Sequence, residues 1–250
     1  MAQWVSFTYK DKKNFGVKNT DTVEVYSGDM FNQPVATGEK ISVNDITLLN
    51  PCTPTKIIAL WNNYKTLAAE KGLSKPNNPL YLNKATSCIS QPGENIVRPK
   101  SYDEAIFYEG ELGIVIGRYC KDIETNQSKD YIFGYTCIND VTGMDIVKKD
   151  PSFDQWTRSK SFDTFGIYGP YISTEIDPLN LQIESKLNGK TVQDYNTSDM
   201  FFNVYEIVSF LSKDMSLLPG DIIACGTNAG LGPMQEGDTI EVSVEGIGKL

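Results

Sequence analysis

Apolar and polar residues alternate over short stretches that turn clusters interrupt, the pattern of extended strands rather than long helices. WVSFTY and TVEVYSG are two such stretches, and the prolines of NPCTPTK end the series. The pattern predicts a small N-terminal β domain over residues 1–52, a linker over residues 50–56 and a main domain over residues 56–250. KIIALW reads as a buried strand. NNYKTLAAEKG reads as a short helix with Asn63 as its cap and Gly72 as its terminator, followed by a proline-rich loop over residues 78–99. YEGELGIVIGR and DYIFGYTCIND, rich in Ile, Val, Tyr and Phe, read as interior strands, the second ending abruptly in Asn139 and Asp140. Asn188 and Gly189 between alternating segments predict a two-residue hairpin. Phe201, Val204, Ile207, Val208 and Leu211 recur at helical spacing and predict a helix over residues 198–211 with one buried face. LLPGDIIACGT and EGDTIEVSVEGIG read as strands entered through Gly-Asp turns. Many short strands with two or three helices predict an α+β, predominantly β fold.

One strand breaks its own pattern. Side chains at i and i+2 of an extended chain share a face, so Glu109 and Glu111 stand side by side while Leu112, Ile114 and Ile116 fill the other. Half-buried like charges repel unless one protonates or a cation sits between them. A solvated strand end accounts for this spacing equally well. Asp140 and Asp145 add carboxylates at a second strand end, with no His or Cys nearby. Such an oxygen-only set suits Mg2+, Mn2+ or Ca2+ rather than zinc. Further on, DQWTRSKSFDTFG places Arg158 and Lys160 on one face if it is extended. Surface ion pairing is the ordinary use of such residues; the functional alternative is that Lys160 reaches an anionic ligand or a developing enolate.

Composition removes several chemistries. There is no histidine among the 250 residues, so Ser-His-Asp and Cys-His hydrolases and imidazole proton shuttles are excluded. A formal net charge of −9 argues against nucleic acid or an anionic membrane as partner. Five widely spaced cysteines without a C-x-x-C pattern suit reduced, buried thiols. No stretch approaches the ~20 apolar residues of a membrane span, and the first residues do not resemble a secretory leader, so cytoplasmic residence is expected.

In this order, NNYKTLAAEKG, YEGELGIVIGR, GYTCINDVTGMD, QWTRSKSFDTFG, GPYI, LLPGDIIACGTNAGLG and VEGIG resemble the motifs of the fumarylacetoacetate hydrolase family, from about Lys56 to Leu250. The resemblance implies a mixed β-roll domain, a homodimer, and Mg2+ or Mn2+ on Glu109, Glu111 and Asp140. It also implies Lys160 as the active-site lysine, Thr227 as a contact for substrate carboxylate, and Arg158 and Thr164 as substrate-side residues. Asp145 has no metal role in that pattern and is expected to start a helix three residues after Thr142. Hydrolytic members often carry a histidine where this chain has Leu67, leaving Glu70 one turn later as the candidate proton carrier.

The implied substrate is a 2-oxo acid able to chelate the ion, with an enolate as the common intermediate of three outcomes. Hydrolysis needs a base to activate water, decarboxylation chiefly an electron sink, tautomerisation a single proton carrier. Without histidine the expectation is isomerisation/tautomerisation or decarboxylation of a small 2-oxo dicarboxylate, oxaloacetate-like or 2-hydroxy-dienedioate-like. C–C hydrolysis of an acylpyruvate-like dioxo acid is the alternative, and a non-catalytic metal- and ligand-binding protein is a further one.

Overall fold

The structure is a computed structural model that describes residues 2–250. Its main feature is a 12-stranded sheet whose principal path runs Asn32–Ser42, Thr22–Asp29, Lys12–Lys18, Gln3–Tyr9, Gly166–Ser173, Ile132–Asp140, Gly110–Ile116, Ile222–Ala224, Ile57–Trp61, Leu80–Lys84. Neighbours on this path are antiparallel except Ile222–Ala224 beside Ile57–Trp61, which is parallel. A four-stranded sheet (Lys190–Asn196, Gln182–Leu187, Ile240–Val244, Gly248–Lys249) and a three-stranded one (Thr142–Gly143, Ile106–Tyr108, Gly232–Met234) complete a predominantly β, α+β architecture.

The strand Gly110–Ile116 is buried at every position. Its period of two sends Leu112, Ile114 and Ile116 into the largest core, against Ile207, Val208 and Leu211, while Val115 joins Ile138 and Ile222 in a second cluster. Both faces are covered, which is why the run reads as nearly continuous hydrophobicity. The hairpin forms as expected: Asn188 and Gly189 both have positive φ (53° and 76°), and Leu187 pairs with Lys190. All five cysteines are free and buried.

Other expectations are corrected. The expected helix over 198–211 is Val204–Asp214, because Asn203 accepts from the Tyr205 and Glu206 amides and Glu206 closes a capping box. Phe201 precedes it, its N–H bound to Asn63 O at 2.7 Å. Asn63 does not cap the helix Lys65–Glu70. Its carboxamide accepts from Phe202 N (3.0 Å) and donates to Cys225 O (2.9 Å), tying three segments together. The stop at Gly72 is as expected, with φ of 66° and a Leu73 N–H to Ala68 O bond of 2.8 Å. The proline-rich loop over 78–99 contains the edge strand Leu80–Lys84. Residues 50–56 lie outside helix and strand but are not a free linker: Ser6 donates to Pro51 O, Tyr168 to Cys52 O, and the Thr55 and Lys56 amides donate to Asp221. The N-terminal strands have their own cluster of Val5, Phe7, Val23, Val25 and Ile41, and join the main sheet where Gln3 and Trp4 pair with Ser173 and Ile172. Among the described residues no helix is long and apolar enough to cross a membrane.

Candidate metal centre

Strand register assembles the carboxylates. Gly110 pairs with Asn139 and Glu111 with Ile138, and Asp140 N donates to Glu109 O at 2.9 Å. Glu109 and Glu111 therefore meet Asp140 at the end of the neighbouring strand. All three are buried, Glu111 and Asp140 completely, and one carboxylate oxygen from each lies within 4.8 Å of the others. Gly110, between the two glutamates, lies too close to the small sheet for a side chain: a Cβ there would meet Ser185 Oγ at 2.2 Å.

Two buried ammonium groups answer the charge. Lys160 donates to Glu109 Oε2 at 2.9 Å and to Asp140 Oδ2. Lys84 donates to Asp140 Oδ1 at 2.5 Å. Burial pushes the Asp140 carboxyl up, but Lys160 and Lys84 outweigh it and hold the group below its ordinary range. Burial would likewise lower Lys160; Asp140, Glu109 and Glu111 raise it instead, so it stays cationic. Glu111 is the opposite case. Burial first, then the Asp140 charge, drive its carboxyl well above the ordinary range, with Lys160 only partly opposing. Its Oε2 accepts from Gly226 N at 2.7 Å, whereas its buried Oε1 has no partner. A buried acceptor without a partner is costly and calls for a missing donor or ion. The all-oxygen donors and this unpartnered oxygen together fit a hard divalent cation.

Above the carboxylates opens a small cavity, about 40 Å³ within its walls and open to solvent at its mouth, with Glu109, Lys160 and Thr227 among its lining. Thr227 Oγ1 donates to Gly110 O at 3.0 Å and accepts from Gln193 Nε2 at 2.8 Å, so this hydroxyl is fixed beside the strand. Arg158 is elsewhere. Its segment forms the helix Trp156–Lys160 rather than a strand, which turns positions two apart to nearly opposite sides; Lys160 points inward and Arg158 is exposed. Thr164 accepts from Val97 N at 2.8 Å and is outside the cavity lining. Glu70 is exposed at the end of its helix and also outside the lining, to which the same helix contributes Leu67 and Ala68, and the next residue Lys71. Asp145 sits in the first turn of Met144–Val147 and accepts from Tyr102 Oη at 3.1 Å, away from the triad. Thr142 does not cap that helix; its hydroxyl donates to Glu109 Oε1 at 2.7 Å.

Sequence reasoning missed Lys84, because only the pairing of Ile57 with Lys84 across the sheet edge carries it to Asp140. It left open whether Tyr64, Lys65 or another residue near Leu67 stands in for the absent imidazole. The Tyr64 ring lines the cavity, stands edge-on to Tyr195 at 5.0 Å, and its buried hydroxyl has no partner.

Residues 56–250 match the family described as Fumarylacetoacetate (FAA) hydrolase C-terminal. The chain belongs to this family. Residues 2–51 match a second family, Rv2993c-like, N-terminal. An uncharacterised protein of Methanocaldococcus jannaschii is 45% identical over 211 residues, covering 84% of this chain and 87% of the relative. Among solved structures of the fumarylacetoacetate hydrolase family, 2-hydroxyhepta-2,4-diene-1,7-dioate isomerase from Mycobacterium marinum is 35% identical with a TM-score of 0.90, covering 100% of this chain and 96% of the other. Maleylpyruvate hydrolase from Sphingobium sp. SYK-6, in complex with manganese(II) and pyruvate, is 25% identical with a TM-score of 0.80, covering 99% and 97%. Solved relatives with isomerase and hydrolase names support an enzyme of the family, and this chain's buried acidic triad is able to hold a metal.

Proposed function

We propose that the protein is a divalent-metal-dependent isomerase or tautomerase of a small 2-oxo dicarboxylate or its 2-hydroxy-diene form, with decarboxylation as the related outcome. The observation that carries the reading is the buried triad, with its unpartnered Glu111 oxygen, beneath a cavity that also presents Lys160. Glu109, Glu111 and Asp140 would hold Mg2+ or Mn2+. When bound, the ion supplies Lewis acidity toward the 2-oxo acid oxygens.

The protein's own groups account for the rest. Lys84 and Lys160 hold Asp140 ionised and oriented, and Lys160, cationic at neutral pH, faces negative charge that develops on the ligand. Thr227 lines the wall with its hydroxyl proton on Gly110 O, and exchanging that bond would turn the proton toward a ligand carboxylate. No imidazole is present to activate a water molecule, which disfavours hydrolysis. Isomerisation needs only that a proton leave the enol oxygen while another reaches the carbon chain. Glu70 is outside the wall as it stands, so we assign the proton carrier to Tyr64, whose buried hydroxyl has no partner and is held protonated by burial, which suits it to give a proton. A Tyr64→Phe variant that keeps full turnover while Glu70→Gln loses it would return the role to Glu70.

The isomerase name of the Mycobacterium marinum relative supports the reading, and the hydrolase name of the Sphingobium relative keeps C–C hydrolysis as the second one. The test is incubation of purified protein and Mg2+ or Mn2+ with 2-oxo dicarboxylates and 2-hydroxy-dienedioates, followed by NMR. Conversion at unchanged mass above metal-only controls is the expected result. Loss of carbon dioxide would assign decarboxylation, cleavage with uptake of water would assign hydrolysis, and no conversion would leave a metal- and ligand-binding protein.

A further inference from the structure

Three charged side chains line the cavity: Glu109, Lys160 and Lys71. The first two answer each other at 2.9 Å. The Lys71 ammonium has no hydrogen-bond or ion-pair partner among the described residues, although its backbone is fixed by the Leu67 O bond at 3.1 Å and by the turn at Gly72. Exposed lysines are ordinarily solvated and need no explanation, but the setting of this one is specific. The rest of the lining is mostly apolar, with Leu67, Leu82 and Met144, and it includes Trp61 and Trp156, whose rings lie 5.7 Å apart.

Charge balance gives this cation a task. With a divalent ion held by all three carboxylates, the two ammonium groups at the centre leave it one charge positive. A single ligand carboxylate neutralises that. A second carboxylate, entering a chain whose net charge is −9, finds no free countercharge at the centre, and the unpaired cation in the lining is Lys71. We infer that Lys71 is the specificity residue that receives the distal carboxylate of the ligand, whose carbon chain lies along the Trp61–Trp156 wall. This rests on the 2-oxo acid reading above and adds to it the group that selects diacids over monoacids.

Trp61 and Trp156 are two of the three tryptophans, so ligand entry is readable as a change in intrinsic fluorescence without turnover. In the presence of Mg2+, 2-oxohexanedioate and 2-oxohexanoate are titrated into wild type, Lys71→Gln and Lys71→Arg. Wild type is expected to bind the diacid about tenfold more tightly, the effect of one charge-assisted contact. Lys71→Gln is expected to lose that preference by weakening the diacid alone, and Lys71→Arg to keep it. Binding of both acids with no diacid preference in wild type, or a preference that survives Lys71→Gln, overturns the role of Lys71 and leaves the 2-oxo acid reading standing. Failure of both acids to bind wild type overturns the two together.

Discussion

Glu111 illustrates how much one side chain decides. Its carboxyl is fully buried, one oxygen bound to Gly226 N–H and the other to nothing, which is a poor arrangement for folding and a good one for a cation. Glu111→Gln is expected to weaken metal binding by about 100-fold or more, measured by calorimetry, while the metal-free variant melts no lower than metal-free wild type. Burial pushes the Cys52 and Cys137 thiols up to about 12. Both therefore stay protonated in the native state well above the pH at which a free thiol ionises, and iodoacetamide at pH 8.5 should label neither until denaturant is added. Native labelling would contradict their burial. The glutamate pair was readable from its i, i+2 spacing and Asp140 and Asp145 from a strand end, while the choice of Asp140 over Asp145 came from the family resemblance. Lys84 was not readable, since a lone lysine carries no local sign of the strand partner that brings it to Asp140. Arg158 was misplaced because its role depended on an extended segment that is helical.

At the scale of elements, the glutamate strand is held to its place by what it lacks. Gly110→Ala would drive a Cβ into Ser185 Oγ, with Gln193 and Val242 next in its way, and the strand must shift. The variant should lose both metal affinity and thermal stability, whereas Glu111→Gln loses only the first. The segment before Ile57 depends on Asp221, which accepts from Thr55 N (3.0 Å), Thr55 Oγ1 (2.7 Å), Lys56 N (3.1 Å) and Leu218 N (2.8 Å), and from the Lys56 ammonium. Asp221→Ala leaves these donors unanswered and should cost about 3 kcal/mol, read from the urea midpoint. Strands and the Asn188-Gly189 hairpin were legible because alternation and turn chemistry are local. The start of the helix Val204–Asp214 was less so: apolar spacing runs past it to Phe201, and the Asn203 and Glu206 cap decides the boundary.

For the whole molecule, the sheet is continuous from the N-terminal strands to Leu80–Lys84, and the centre lies where its middle strands end. That continuity was not legible, because the pairing of Gln3 with Ser173 joins residues far apart in the chain, whereas the predominantly β character followed from local patterning alone. We propose a homodimer for the intact protein, expected to show twice the chain mass by light scattering; the mass of one chain would refute it. The central claim is that the three carboxylates bind one divalent ion. Calorimetric titration of metal-free protein with Mn2+ tests it most directly: one site per chain in wild type, lost in Glu111→Gln, is the predicted result. No binding at millimolar Mn2+, or binding that Glu111→Gln leaves unchanged, would contradict it.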